Sequence, residues 1–320
     1  MTRKDKNKKT ISIDYTSTEK RSRMKISKSL NLFLVTILLT IFSGSLFSQK
    51  LEPKKRITVP DHTISSQLTG NDYHLYLSFP SSYSIKDTTT YPVLYFLDGN
   101  ASFPIFKQSQ INLSLGNEIE DVIIVGISSG SDMATWIINR TYDYSPIIDT
   151  MYTKSLENDF GFPKGLVKTG GGEKFLTCIK TEIAPFIDKH YKTNSDRGIA
   201  GNSLGGFFAA YCLINSDGYF TRFGLNSPSL WWGNEQLLDQ AVSKYTSKET
   251  LDIPASKVFV CGGRNENYGD FHTMVKFCSY LEASNYENID LKWKIFDDET
   301  HLSVVPASIS KAISTLYNKE

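Results

Sequence analysis

The chain has 320 residues, 40% of them hydrophobic and 22% charged, with a formal net charge of +1. That composition suits one large globular core and excludes the collagen-like and disordered classes. The charge is unevenly spread: residues 1–28 carry ten Lys/Arg against three acids, residues 29–48 carry no charge, and the remainder holds 25 basic and 31 acidic side chains, a net of −6. A net-acidic body offers no bulk electrostatic attraction to nucleic acid, so no nucleic-acid partner is expected.

In chain order, the first feature is the apolar run "NLFLVTILLTIF" (31–42), which follows a basic stretch and leads into the small residues "SGSLFSQ". This is the layout of a secretory signal peptide, and Met24 would open one with a normal n-region, "MKISKSL". The expectation is therefore an N-terminal extension and signal peptide over 1–48 and a single domain over 49–320, exported to the periplasm or secreted, with no stable membrane insertion after cleavage. The alternative is an uncleaved anchor, because the run approaches the ~20 apolar residues that span a bilayer. No cysteine stands directly after the apolar run, so a lipidated N-terminus is not expected.

Beyond the leader, "NDYHLYLSFP" (71–80) alternates like a half-exposed strand, whereas "YPVLYFLDG" (91–99) and "DVIIVGIS" (121–128) are continuous apolar runs, as buried strands are. The region from Tyr142 to Gly172 is rich in Tyr, Phe, Gly and Pro with little periodicity, and reads as a long loop forming a wall or lid. Phe175, Ile179, Ile183 and Ile187 recur every four residues as on a helix, and "HTMVKFCSYLEAS" (272–284) is a second helical pattern. "KVFVCGG" and "LKWKIFDD" continue the strand series. Strands alternating with helices imply an α/β fold, a mostly parallel central sheet with helices on both faces, and a ligand site at the strands' carboxyl ends. Cys178, Cys212, Cys261 and Cys278 lie in apolar patterns without CxxC spacing, so buried free thiols are expected and no metal site.

Gly201-Asn202-Ser203-Leu204-Gly205 fits G-x-S-x-G and stands between the strand "GIA" and a helix beginning at Leu204. In that setting a serine is held in a sharp, strained turn, its hydroxyl above the sheet edge at a helix N-terminus. A serine hydroxyl needs a base within hydrogen-bonding reach. His62 and His74 precede the motif, His190 ends a helix and His272 opens one. His301, in "DDETHLSVVP" after the last strand, is left as the base. The acid belongs on the loop after the preceding strand, where "VFVCGGRNENYGD" offers Glu266 and Asp270. Glu266 is preferred, because it stays close to the strand end, while Asp270 is placed to cap the following helix. Asp297 and Asp298 stand too near His301 in the chain. The amides of Leu204 and Asn100 are the expected oxyanion donors.

The motifs "YPVLYFLDG", "EIAPFIDKHY", "IAGNSLGGFFAAY", "SPSLWW" and "HLSVVP", in that order between Asp72 and Pro306, resemble the esterase D and enterochelin-esterase-like family of serine α/β-hydrolases, which also includes the mycolyltransferases. "SPSLWW" and the terminal "HLSVVP" are most similar to the siderophore-esterase branch. The resemblance implies Ser203 as nucleophile, His301 as base, Leu204 and Asn100 as oxyanion donors, and a small-molecule ester as substrate. Asn202 stands where family members often carry His, and some relatives act with a Ser–His pair and a weakly defined acid.

The expected function is an exported serine carboxylic-ester hydrolase working through an acyl-enzyme without metal or organic cofactor. Acyl transfer to a sugar or alcohol and a non-catalytic binding protein on the same fold are the alternatives. Trp231, Trp232, Phe160, Phe162, Tyr142 and Tyr144 are candidates to line an aromatic cleft. Arg140, with Lys164, Lys168 and Arg264, is a candidate for an anionic group on the ligand.

Overall fold

A computed structural model describes residues 59–245 and 253–319. The expected signal peptide, the 48/49 boundary and Met24 lie outside the described residues. No helix among the described residues is long and apolar enough to cross a membrane.

Among the described residues, eight strands form one sheet: β1 (His62–Ser65), β2 (Asp72–Ser78), β3 (Tyr91–Leu97), β4 (Ile123–Ser129), β5 (Thr193–Asn202), β6 (Arg222–Asn226), β7 (Ser256–Gly263) and β8 (Ile289–Phe296). Their spatial order is β1-β2-β4-β3-β5-β6-β7-β8. The first two pairings are antiparallel and the others parallel, giving the α/β-hydrolase fold. The helices in chain order are α1 (Gly99–Leu115), α2 (Met133–Asp143), α3 (Thr150–Phe160), α4 (Gly172–Cys178), α5 (Ala184–His190), α6 (Leu204–Asn215), α7 (Trp232–Tyr245), α8 (Tyr268–Ser284) and α9 (Val305–Leu316), with a π-helical turn at Ile179–Ile183 between α4 and α5.

The apolar runs read as buried strands do bury both faces. In β3, Val93, Tyr95 and Leu97 enter one core with Phe175, Phe208 and Phe277, while Leu94 and Phe96 enter a second with Phe106, Ile313 and Leu316. The two-residue period of a strand sends alternate side chains to opposite layers, so α1 and α9 cover one face while α4, α6 and α8 cover the other. All four cysteines are buried free thiols.

The stretch from Tyr142 to Gly172 departs from the expected long loop, since it contains α3. Asp149 makes that helix, accepting from the amides of Met151 and Tyr152 at 2.9 Å each. A capping aspartate satisfies two of the amides that a helix start leaves unpaired. The other Asp149 oxygen accepts from Gly233 N at 3.2 Å, and Trp232 Nε1 donates to Ile147 O at 2.9 Å, so this segment is pinned to the chain after β6.

The strand order reverses at β3: β4 lies on one side and β5 on the other. At such a switch point the loops leaving the carboxyl ends diverge and open a crevice. Loops after β3, β5, β6, β7 and β8, five neighbouring strands, supply the residues described next.

Candidate active site

Ser203 lies between β5 and α6 at φ 61°, ψ −121°. Only close packing of strand and helix holds a serine in so sparsely populated a conformation. Gly201 permits that packing: a Cβ there would stand 2.6 Å from the Gly205 carbonyl carbon. Ser203 N donates to Asn226 O at 2.9 Å, tying the turn to the end of β6. The Oγ, pushed clear of the backbone, is 3.4 Å from Ser229 Oγ, its only side-chain partner among the described residues. Ser203 and His301 are not hydrogen-bonded to each other in this state; such bonds are often long without substrate and tighten on binding.

His301 follows β8, and its Nδ1 donates to Glu266 Oε2 at 2.9 Å. Glu266, on the loop after β7, is fixed at its other oxygen, which accepts from Ser227 Oγ at 2.7 Å and from Gly263 N at 2.5 Å. The two loops are joined along their backbones, Arg264 N to Phe296 O and Asn265 N to Glu299 O, both at 2.9 Å. Gly263 sits where they are closest, and a Cβ there would lie 2.3 Å from Glu299 O.

Burial favours the neutral form of both partners, and the ion pair reverses it. For Glu266, burial pushes the carboxyl up, but the bond and charge of His301, with the donors Ser227 and Gly263, bring it below the ordinary glutamate range. For His301, burial and Arg140 push the imidazole down, and the Glu266 bond with the charges of Asp270 and Glu266 raises it above the ordinary histidine value.

Asp270 does not cap α8, contrary to the expectation from sequence. The helix begins four residues before His272, and its cap is Asn267, whose Oδ1 accepts from Asp270 N at 3.1 Å. The Asp270 carboxylate instead accepts from Trp231 Nε1 and Asn267 Nδ2, and one oxygen lies 3.9 Å from His301 Nδ1. Burial raises its pKa above the ordinary aspartate range, with Glu266 adding to that and His301 opposing it. Glu266, Asp270 and His301 each bring a ligand-type atom within 4.8 Å of the others, a spacing that would also accommodate a metal ion. One pair of those atoms, His301 Nδ1 and Glu266 Oε2, is already engaged in a hydrogen bond.

At the end of β3, Asp98 takes a left-handed conformation, φ 57°, and turns the chain from β3 into α1. Ala101 N and Ser102 N donate to Asp98 O, which leaves the amides of Gly99 and Asn100 at a helix start without an intrahelical acceptor. The Leu204 amide, first in α6, is in the same position. Tyr144, expected to line the cleft, is 3% exposed, and its hydroxyl accepts from Asp98 N at 3.1 Å.

Arg140, expected to meet a ligand's anionic group, donates through Nε to both Asp98 oxygens at 2.8 and 3.0 Å and through Nη2 to Asn202 O at 3.2 Å. Its charge is already matched by Asp98, and it braces the loop after β3 against the residue before Ser203. Trp232 is 0% exposed and offers no surface to a ligand, because its indole faces Ile147 O. Trp231, Phe160, Phe162 and Tyr142 keep part of their surface exposed. Arg264 pairs with Asp297, while Lys164 and Lys168 are exposed. Reading from sequence missed Ser227, Ser229 and Asp98; the first two lie in a turning loop, with Ser227 at φ 43°, where no residue periodicity marks them.

The eight-stranded, mostly parallel sheet with helices on both faces defines the α/β-hydrolase fold. The chain belongs to the family described as "Putative esterase", whose model matches residues 66–303. It is similar to the apo-salmochelin esterase of Escherichia coli O6:H1, 27% identical over 60% of this chain and 56% of the relative, and to the siderophore enterobactin esterase of Emericella nidulans, 28% identical over 46% of this chain and 49% of the relative. The chain thus spans about half the length of these two curated relatives. The structure of the BES protein from Bacillus cereus superposes with a TM-score of 0.68 at 26% identity, covering 85% of this chain and 100% of that one. An IroE-like serine hydrolase from Shewanella oneidensis, at 24% identity and TM-score 0.66 over 80% and 79%, shares the fold.

Proposed function

We propose that the protein is an exported serine esterase that hydrolyses small-molecule carboxylic esters through an acyl-enzyme on Ser203, with esters of the siderophore type as its substrate class. Ser203 Oγ attacks the ester carbonyl while His301 takes its proton, and the oxyanion is held by the amides of Leu204 and Asn100. Glu266 fixes the imidazole with Nδ1 protonated, so that Nε2 is the basic nitrogen, and stabilises the imidazolium. The proton then passes to the leaving alcohol, and water activated by His301 releases the acid.

The observation that carries this reading is the 2.9 Å His301–Glu266 bond, on the loops leaving the same sheet edge as a serine held at positive φ. Family membership and the names of the curated relatives support ester hydrolysis and point to siderophore esters. The basic, then apolar, then small-residue order over 1–48 supports export.

The test is labelling by a fluorophosphonate probe together with hydrolysis of aryl esters and cyclic siderophore lactones, by wild type and Ser203→Ala. Labelling that persists in the variant, or no turnover of any ester, would sink the reading. Product analysis with an added alcohol or sugar separates hydrolysis from acyl transfer, and a binding protein would not label. Export predicts a mature N-terminus near Gln49, read by N-terminal sequencing; a membrane-bound product retaining 31–42 would indicate an anchor instead.

A further inference from the structure

The loop after β6 reaches the site with three alternate side chains. Ser227 Oγ donates to Glu266, Ser229 Oγ stands 3.4 Å from Ser203 Oγ, and Trp231 Nε1 donates to Asp270. The segment is not a strand: Ser227 sits at φ 43°, and Trp232 N donates to Ser229 O at 3.2 Å, so turns in the chain bring the three side chains to their partners. Glu266 and Asp270 both face His301 Nδ1, at 2.9 and 3.9 Å, and both carboxylates are nearly excluded from solvent, with 2% and 6% of their side chains exposed. A buried carboxylate this close to an imidazole is poorly screened and favours its protonated form.

We propose that Asp270 is a second, electrostatic partner of His301, and that the part-exposed Trp231 is the positioning residue that holds it there. This rests on the esterase reading above for its kinetic consequence but not for its geometry. Glu266 takes the Nδ1 proton bond and sets the ring's orientation. Asp270 cannot share that bond at its distance, so it acts through charge, raising the imidazole's affinity for a proton as the nucleophile is deprotonated. Trp231 and Asn267 supply donors to Asp270 that favour its ionised form against the burial that opposes it. The charged groups facing His301 are Glu266, Asp270 and Arg140, and Arg140 acts in the opposite sense. Trp231 is part-exposed and bonded to the acid at once, so a ligand seated against its ring would bear on Asp270 through that hydrogen bond.

The experiment compares wild type, Asp270→Asn, Trp231→Phe, Glu266→Gln and the Glu266→Gln/Asp270→Asn double variant. Two readouts are taken: the pH profile of kcat/KM on an aryl ester, and the NMR titration of the His301 imidazole. The acidic limb of the profile reports the free enzyme's base. Removing the Asp270 charge should move that limb and the NMR titration to lower pH. Trp231→Phe, which keeps a ring and deletes only the N–H, should move both the same way by less, since Asp270 then holds its own proton more readily. Glu266→Gln should keep residual turnover, and the double variant should fall about a further tenfold or more.

If neither Asp270→Asn nor Trp231→Phe moves the His301 titration, the proposal is overturned, and likewise if the double variant turns over as fast as Glu266→Gln. Should Asp270→Asn fail to fold, Trp231→Phe decides. If the wild type hydrolyses no ester while the NMR titration shifts as stated, the esterase reading fails and the pairing of Asp270 with His301 stands.

Discussion

Ser203 carries strain of about 1–3 kcal/mol for a non-glycine residue at such dihedrals, and that strain is what presents its hydroxyl. Alanine bears the same backbone cost, so Ser203→Ala should keep its melting temperature while losing ester hydrolysis by about 10³-fold or more. His301→Ala should lose a comparable amount, and the double variant little beyond either, because the two act as one unit. Near-additive losses measured by kcat would show that they do not. Activity should rise with pH through a limb above the ordinary histidine range, since His301 must be neutral to act as base and its pKa is raised. A chelator such as EDTA should leave the rate unchanged if Glu266, Asp270 and His301 handle protons, and loss of activity restored by a divalent ion would assign them to a metal. The serine turn at Ser203 and the pairing of His301 with Glu266 were legible in the sequence because motif and chain order constrain them. Asp270 was misread by a local rule: an Asp just before a helical pattern looks like a cap, but Asn267 starts the helix earlier and leaves the Asp270 carboxylate free to turn toward His301. Trp232 and Tyr144 were misplaced because a sequence does not say which aromatic of a cluster is covered.

At the scale of elements, the four-residue recurrence of Phe175, Ile179, Ile183 and Ile187 marks something more particular than a helix. Four residues advance an α-helix by about 400°, so a strict four-residue repeat drifts by about 40° at each step. The π-helical turn at Ile179–Ile183 takes up part of that drift, and all four side chains are 0% exposed. β6 escaped the sequence reading because "RFGLN" is only five residues with a glycine in the middle, yet it is the strand that anchors Ser203 N and launches Ser227. The contact between the acid loop and the histidine loop was also invisible, since backbone bonds across non-adjacent segments leave no pattern. It yields a prediction. Gly263→Ala must push the Glu299 carbonyl away, because 2.3 Å is far inside contact distance, and overpacking of this kind costs about 1–3 kcal/mol. The displaced loop carries His301, so kcat should fall more than thermal stability accounts for. Wild-type kcat in a variant that melts several degrees lower would show that the loops are not coupled at this glycine.

Over the whole molecule, stability should depend on pH through a group far in sequence from Ser203, His301 and Glu266. Asp143 ends α2, the helix that carries Arg140, and is 1% exposed. Its Oδ2 accepts from Tyr73 at 2.9 Å, but its Oδ1 has no hydrogen-bond partner among the described residues. Burial pushes its pKa from 3.8 to about 7, only partly offset by the side chains of Tyr73 and Asn71 and the charge of Lys174. In the unfolded chain it ionises near the ordinary aspartate value, so the folded state holds the proton more tightly. Its contribution to stability is therefore fully present below pH 3.8 and is lost progressively as pH rises to about 7, above which the penalty is constant. A tenfold change in proton affinity is worth about 1.4 kcal/mol, so the loss is of order a few kcal/mol over that window. Asp143→Asn cannot ionise and should not lose it. The melting temperature of Asp143→Asn minus that of wild type should rise between pH 4 and pH 7 and then level off, whatever its starting sign, because the amide's second hydrogen-bonding group sets only a pH-independent offset. A difference that stays flat across the range would mean that Asp143 is ionised in the folded protein at low pH, and that a partner for its Oδ1 exists in solution. The same titration bears on function through α2: if ionisation of Asp143 loosens the end of that helix, Arg140 loses its hold on Asp98, and the loop after β3 should soften over the same pH range in hydrogen exchange of the Gly99 and Asn100 amides.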